Sequence, residues 1–202
     1  IRVVEKVSKL RAQRIPTGEA DLILGCDILT AGQHDAISKM RAGRTRAVIN
    51  SHEQPTGAFA KNPDWQFPLE STERLISDSV GGNVDFVDAT KLATALMGDS
   101  IATNLFMLGF AFQKGAIPLS EAALLRAIEL NGVAIDANKK AFLWGRRAAV
   151  DLKRVENIAF PAKPVVVQMP QSLDSIIKRR VAELTAYQDA GYAHQYQELV
   201  NA

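Results

Sequence analysis

Few side chains in this chain have the type and spacing to do chemistry. Cys26 is the single cysteine, and His34, His52 and His194 are scattered along the sequence. A single thiol excludes a disulfide, a CxxC motif and a zinc ribbon. It also excludes a ferredoxin-type cluster, which needs about four thiolates. The scattered histidines argue against a metal site, no Ser/His/Asp triad can be assembled, and no GxGxxG fingerprint points to a nicotinamide cofactor. Two places remain. His52 and Glu53 follow an apolar run that reads as a strand, and ligands of open parallel sheets bind at the carboxyl ends of strands. Gly98, Asp99 and Ser100, with Asn104 one turn further on, have the look of a helix start. Asp99 or Ser100 can cap the free N–H groups there, or those N–H groups can hold an anion such as a coenzyme phosphate. Asn104 and Asn138 interrupt apolar helical stretches. Each, if buried, requires a hydrogen-bond partner or a ligand.

The elements that must position these residues can be read from periodicity. Leu22–Leu24, Ala47–Ile49 and Val84–Val87 are short apolar runs of the buried-strand kind, with Asp85 as a polar exception. Thr30 and Gln33 have capping-box spacing for a helix through Ala36, Ile37 and Met40, stopped by Gly43. A Pro-rich loop, Ser51–Phe67, precedes a helix over Glu70–Ser79. Loops of that length usually serve a purpose, and Trp65 and Phe67 make this one a docking surface in preference to a substrate contact. After Asp88 the pattern becomes helical throughout: Ala89–Met97, Ile101–Lys114, Glu121–Leu130 and Val133–Ala149. Strands alternating with helices imply βαβ units, a parallel sheet and right-handed crossovers. The expected fold is therefore α/β, a Rossmann-like parallel sheet with a helical C-terminal half. Residues 157–171, with Pro161, Pro164 and Pro170, read as a linker between a domain over 1–156 and a helical segment over 172–202, in which Leu173–Val200 carries the stripe Ile176, Ile177, Val181 and Leu184.

Composition sets outer bounds. Hydrophobic residues make up 47% of the 202 and charged residues 23%, with a formal net charge of +2. That is ordinary for a globular domain and gives no basic footprint for nucleic acid. Apolar runs fall far short of the roughly 20 residues needed to span a bilayer. With no signal-peptide layout either, the chain reads as cytosolic and free of membrane. It opens without Met inside an apolar run, as a truncated sequence would.

Four blocks carry a resemblance: GEADLILGCD (18–27), GRTRAVINSHEQPTGAFAKNPDWQFP (43–68), VDFVDATKLATALMGDSIATNLFMLGFAFQKGAIPLS (84–120) and AIELNGVAIDANKKAFLWGR (127–146). Together they resemble the gamma domain of 2-oxoacid:ferredoxin oxidoreductases, as fused into the long indolepyruvate enzymes. The segment 172–196 resembles the stretch after that domain in the same chains. The resemblance implies oxidative decarboxylation of an aryl 2-oxoacid to its acyl-coenzyme A with reduction of ferredoxin. It also implies that this part holds none of the enzyme's thiamine diphosphate, magnesium, iron–sulfur clusters or coenzyme A by itself. Partners are then the thiamine-binding and ferredoxin-type domains of the same enzyme, in a homo-oligomer. The other readings are a pyruvate or branched-chain oxoacid enzyme, or a non-catalytic interaction module. Gly98-Asp99-Ser100 does not follow the thiamine pattern, GDG with a downstream Asn pair, because a lone Asn104 follows within about a turn. Gly98, Asp99, Ser100, Asn104 and Asn138 are instead candidates for a surface facing coenzyme A or thiamine. The family domain opens with a glycine-rich strand–turn–helix, expected upstream of Ile1, so the sheet here is expected to lack its first strand and crossover.

Overall fold

The computed structural model describes residues 1, 3–4, 14–54, 66–161 and 172–201. The chain divides into two compact units, Ile1–Pro161 and Ala162–Ala202.

Three parallel strands form the sheet of the first unit: β1 (Leu22–Gly25), β2 (Arg46–Asn50) and β3 (Val84–Val87), in that order. Leu22 pairs with Arg46 and Gly25 with Ile49, while Ala47 pairs with Val84 and Asn50 with Val87. Alternation sends successive side chains to opposite faces. Leu22, Leu24, Val48 and Val87 share a core with Leu92, Phe106, Met107, Phe110, Ala148 and Val155. Ile23, Ala47, Ile49, Val84 and Phe86 pack with Ile28, Met40, Ile76 and Val80. Covering both faces is what a parallel sheet requires, and the three apolar runs form strands as their composition predicts.

The first face is covered by α4 (Ala89–Met97), α5 (Thr103–Gln113), α7 (Ile135–Val150) and α8 (Leu152–Ala159). The second is covered by α1 (Ile28–Ala31), α2 (His34–Ile37) and α3 (Leu69–Ser79). Helix α6 (Glu121–Asn131) adds a third cluster, Leu124 and Ile128 against Phe142, Leu105, Leu108 and Phe112. Helix α5 is thus apolar nearly all round because sheet and helices enclose most of it. Helix α7 runs antiparallel to it: Phe106 lies against Gly145 and Phe142 against Gly109, with the two backbones in direct contact.

Several boundaries differ from expectation. The first helix is capped by Asp27, whose Oδ1 accepts the Thr30 N–H at 2.6 Å, and not by Thr30. It stops at Gly32 and restarts as α2, while Gly43 sits in a turn beyond both at φ 77°. A short 3-10 turn, Ser100–Ala102, precedes α5. Helix α8 occupies 152–159, so residues 157–159, expected within a linker, are helical instead. The hydrophobic pattern there is short, and Asp151 starts the helix by accepting the Arg154 N–H at 2.9 Å. Residues 162–171, with Pro164 and Pro170, lie outside the described residues, as do 55–65 of the long loop. In the second unit the long helical stretch is two helices, α9 (Leu173–Tyr187) and α10 (Ala190–Asn201). Asp189 interrupts it by accepting the Tyr192 N–H at 2.8 Å and restarting the helix. Ile176, Ile177, Val181 and Leu184 form the less exposed side of α9.

Asp85, the polar exception, projects to the same face as Val87, where Arg46 Nη2 and Lys114 Nζ reach it at 2.9 and 3.0 Å. Arg46 also donates to the Lys114 carbonyl at 2.6 Å. Burial by itself would raise the Asp85 pKa; hydrogen bonds and charge from Arg46 and Lys114 outweigh it and hold the carboxyl below its ordinary value of 3.8. The folded protein therefore binds this proton less readily than the unfolded chain. The stability gained is complete above the ordinary carboxylate range and is lost as pH falls through 3.8 toward the lowered value. Asp85→Asn is expected to cost about 1–2 kcal/mol at neutral pH, below the 3–5 of a fully buried pair because all three side chains keep some solvent contact. Urea unfolding at pH 7 and pH 3 tests this: the gap between variant and parent should narrow in acid. An unchanged gap would remove Asp85 from the acid response.

Candidate functional site at the carboxyl edge of the sheet

The carboxyl ends of the three strands are tied together by one side chain. Asn50, the last residue of β2, is 3% exposed. Its amide nitrogen donates to the Cys26 carbonyl at 2.9 Å and to the Thr90 hydroxyl at 2.8 Å. Its Oδ1 accepts from the backbone N–H groups of Ala89 (3.0 Å), Thr90 (3.4 Å) and His52 (3.3 Å). Asn50 thus supplies what a buried amide must have, and joins the segments after β1, β2 and β3. Thr90 extends the network to Thr103 (3.3 Å between hydroxyls), whose own hydroxyl donates to the Ser100 carbonyl at 2.6 Å. The start of α5 is thereby held at the sheet edge.

Beside this network His52 Nδ1 lies 2.9 Å from Asp88 Oδ1, the oxygen that also caps α4 by accepting the Lys91 N–H at 3.0 Å. Both side chains remain partly solvent-accessible, at 33% and 40%. Cys26 is half-buried, and burial pushes its thiol pKa up. It is a thiol at neutral pH and a weak nucleophile.

The junction expected at the helix start is assembled here. Gly98 closes α4 in the left-handed conformation, at φ 82°, where a glycine has no steric penalty. Asp99 Oδ1 accepts the Ile101 N–H at 2.9 Å, so the cap is made by Asp99. Ser100 contributes its carbonyl to Thr103. Asn104 is exposed, so the hydrogen-bond partner that burial would have demanded is not required. Thr103, Phe106, Met107 and Phe110 take the inward positions of α5, and Asn104 falls on the outward side. Ile101 beside it is 77% exposed. Asn138 belongs elsewhere. It sits in the first turn of α7, which runs antiparallel to α5, and so lies at the far end from Thr103. There its amide donates to the Val133 carbonyl at 2.9 Å and holds the turn at Ala134, which has φ 45°.

Sequence reasoning passed over Asn50, Thr90, Asp88 and Thr103. The only signal for them was their place immediately after an apolar run or at a helix start. His194 approaches Glu198 at 3.5 Å in the second unit. Among the described residues no group of three or more His, Cys, Asp and Glu is placed to hold a metal ion. No helix of the described residues is long and apolar enough to cross a membrane.

A parallel α/β sheet with a polar network across its carboxyl edge defines the class, and comparison with known proteins narrows it. Residues 1–148 match the pyruvate ferredoxin/flavodoxin oxidoreductase family, and the chain belongs to that family. It is accordingly part of a 2-oxoacid oxidoreductase. Among curated proteins it is similar to the indolepyruvate oxidoreductase subunit IorB of Methanothermobacter thermautotrophicus, 27% identical over 148 residues. The match covers 72% of this chain and 73% of that protein. No solved structure matches.

Proposed function

We propose that this chain is the gamma-type part of an indolepyruvate:ferredoxin oxidoreductase, which converts an aryl 2-oxoacid to its acyl-coenzyme A while reducing ferredoxin. The family match over residues 1–148 carries this reading, and the similarity to IorB supports the aryl substrate. The described residues do not suit the enzyme's redox groups. One half-buried thiol cannot ligate a cluster, and the Asp99 carboxylate occupies the helix start that a diphosphate would need. Thiamine diphosphate, magnesium, the iron–sulfur clusters and the electron path therefore belong to the partner domains. This chain packs on the thiamine-binding domain and presents its carboxyl edge, with Gly98, Asp99, Ser100, exposed Ile101 and Asn104, to the coenzyme A and thiamine side. Asn138 serves the turn before α7 and takes no part in that surface.

Ferredoxin reduction by the full enzyme is measured with indolepyruvate, phenylpyruvate, pyruvate and a branched-chain oxoacid, and by the isolated chain with the same substrates. The full enzyme is expected to prefer the aryl oxoacids, and the isolated chain to be colourless and inert. Asn104→Ala in the full enzyme should lower kcat/KM for coenzyme A by about tenfold, the value of one lost hydrogen bond. Because Asn104 is exposed, the melting temperature should hardly move. Stoichiometric iron or turnover in the isolated chain contradicts the assignment, as does a preference for pyruvate over both aryl substrates.

A further inference from the structure

His52 is left over from the network that holds the sheet edge together. Its backbone N–H serves Asn50, but its ring faces Asp88 and solvent. An ionised carboxylate can only accept hydrogen bonds, so the 2.9 Å contact places the ring proton on Nδ1. In the neutral imidazole the other nitrogen, Nε2, is then a bare lone pair, and it has no partner among the described residues. The ring is held at one end by a residue that is itself fixed as the cap of α4.

The surroundings say what such a lone pair can meet. Each helix start at this edge already has a carboxylate on it: Asp27 on α1, Asp88 on α4 and Asp99 on the turn before α5. In many α/β proteins that edge leaves helix N–H groups open for phosphate. Here a carboxylate takes one N–H at each of these starts and adds negative charge beside the rest, so phosphates and carboxylates are disfavoured and hydrogen-bond donors are favoured.

We propose that His52 is a ligand-binding residue of this edge, its Nε2 accepting a hydrogen bond from an N–H or S–H group of the bound ligand, with Asp88 as the positioning residue that fixes the tautomer. This rests on the functional reading above and adds the chemical class of the group recognised. That reading offers two sources of the donor: the thiol of coenzyme A, and the indole N–H of the oxoacid.

The experiment compares the full enzyme with its His52→Ala and Asp88→Ser variants. Asn at position 88 would not serve, because the oxygen that caps α4 is also the one that faces Nδ1 and would keep the tautomer. Ser caps α4 about as well as Asp, but its shorter side chain falls short of Nδ1, so the ring proton is released to Nε2 and the acceptor is lost. Calorimetric titration is carried out with coenzyme A against its desulfo analogue, and with indolepyruvate against phenylpyruvate, alongside steady-state kcat and KM. The parent enzyme is expected to bind one donor-bearing ligand about tenfold tighter than its donor-free analogue. Both variants should abolish that preference without altering the other pair, and added imidazole should restore it in His52→Ala. Loss confined to the coenzyme A pair identifies the thiol, and loss confined to the oxoacid pair identifies the indole N–H. No preference in the parent, or a preference that both variants keep, overturns the proposal. A parent enzyme inactive on every 2-oxoacid instead overturns the functional reading, and the calorimetric comparison still decides His52.

Discussion

Gly109→Ala is expected to be among the most damaging single substitutions in this chain, lowering its melting temperature by about 6–12 °C. A methyl group at Gly109 would be driven into the Phe142 carbonyl oxygen, and one at Gly145 into the Phe106 carbonyl oxygen. These obstacles are backbone atoms of a neighbouring helix, so no rotamer change relieves them. Helices α5 and α7 would have to separate, opening the core they share with the sheet around Phe106, Met107 and Ala148. Two effects compete. Alanine gains about 1 kcal/mol over glycine in a helix interior, whereas overpacking costs about 1–3 kcal/mol where side chains can shift and more where they cannot. The steric effect should win, with a net loss of about 3 kcal/mol. Gly145→Ala should behave alike. Gly82→Ala is the contrast, since a Cβ there meets nothing within 4 Å and only its φ of 79° is unfavourable. Thermal unfolding of the three variants decides the matter, and a Gly109→Ala protein as stable as its parent would mean the two helices do not meet as described.

Asn50→Ala should cost about 3–4 kcal/mol, through unmet hydrogen bonds and not through lost volume. The substitution strips the partner from the Cys26 carbonyl and the Ala89 N–H in a place 3% exposed at its centre. Each buried group left unpaired costs about 1–3 kcal/mol, and because they share one network the penalties do not simply add. Asn50→Asp separates the two halves of the amide. It keeps the acceptor for Ala89, Thr90 and His52 but sets a carboxylate oxygen against the Cys26 carbonyl. It should therefore be about as unstable as Asn50→Ala. Urea unfolding of both variants, with Thr90→Val as a milder probe of the same network, provides the test. An Asn50→Asp chain as stable as its parent would show that the amide donor contributes nothing.

How much of this was legible beforehand depends on what kind of signal each feature leaves. The strands Leu22–Leu24, Ala47–Ile49 and Val84–Val87 could be read because strand burial is written in consecutive apolar residues, and helix α4 because Asp88 and Gly98 mark its ends. The exposure of Asn104 could not be read. Helix α5 is apolar nearly all round, so its sequence has no polar side to show which way Asn104 turns. Nor could the split at Asp189, where a one-residue cap interrupts an otherwise continuous helical pattern.

The sequence by itself determined the α/β class, the three strands with most of the helices between and after them, and the poverty of redox ligands, because these depend on residue type and local spacing. Tertiary structure decided which residues share the sheet edge. Asn50 lies 24 residues from Cys26 and 40 from Thr90, and His52 lies 36 from Asp88. No local pattern encodes those meetings. They arise because three parallel strands end at one level, so that residues distant along the chain arrive at the same edge within hydrogen-bonding reach. The seam of Gly109 and Gly145 has the same origin, since each glycine is ordinary in its own helix and matters only because the other helix crosses there.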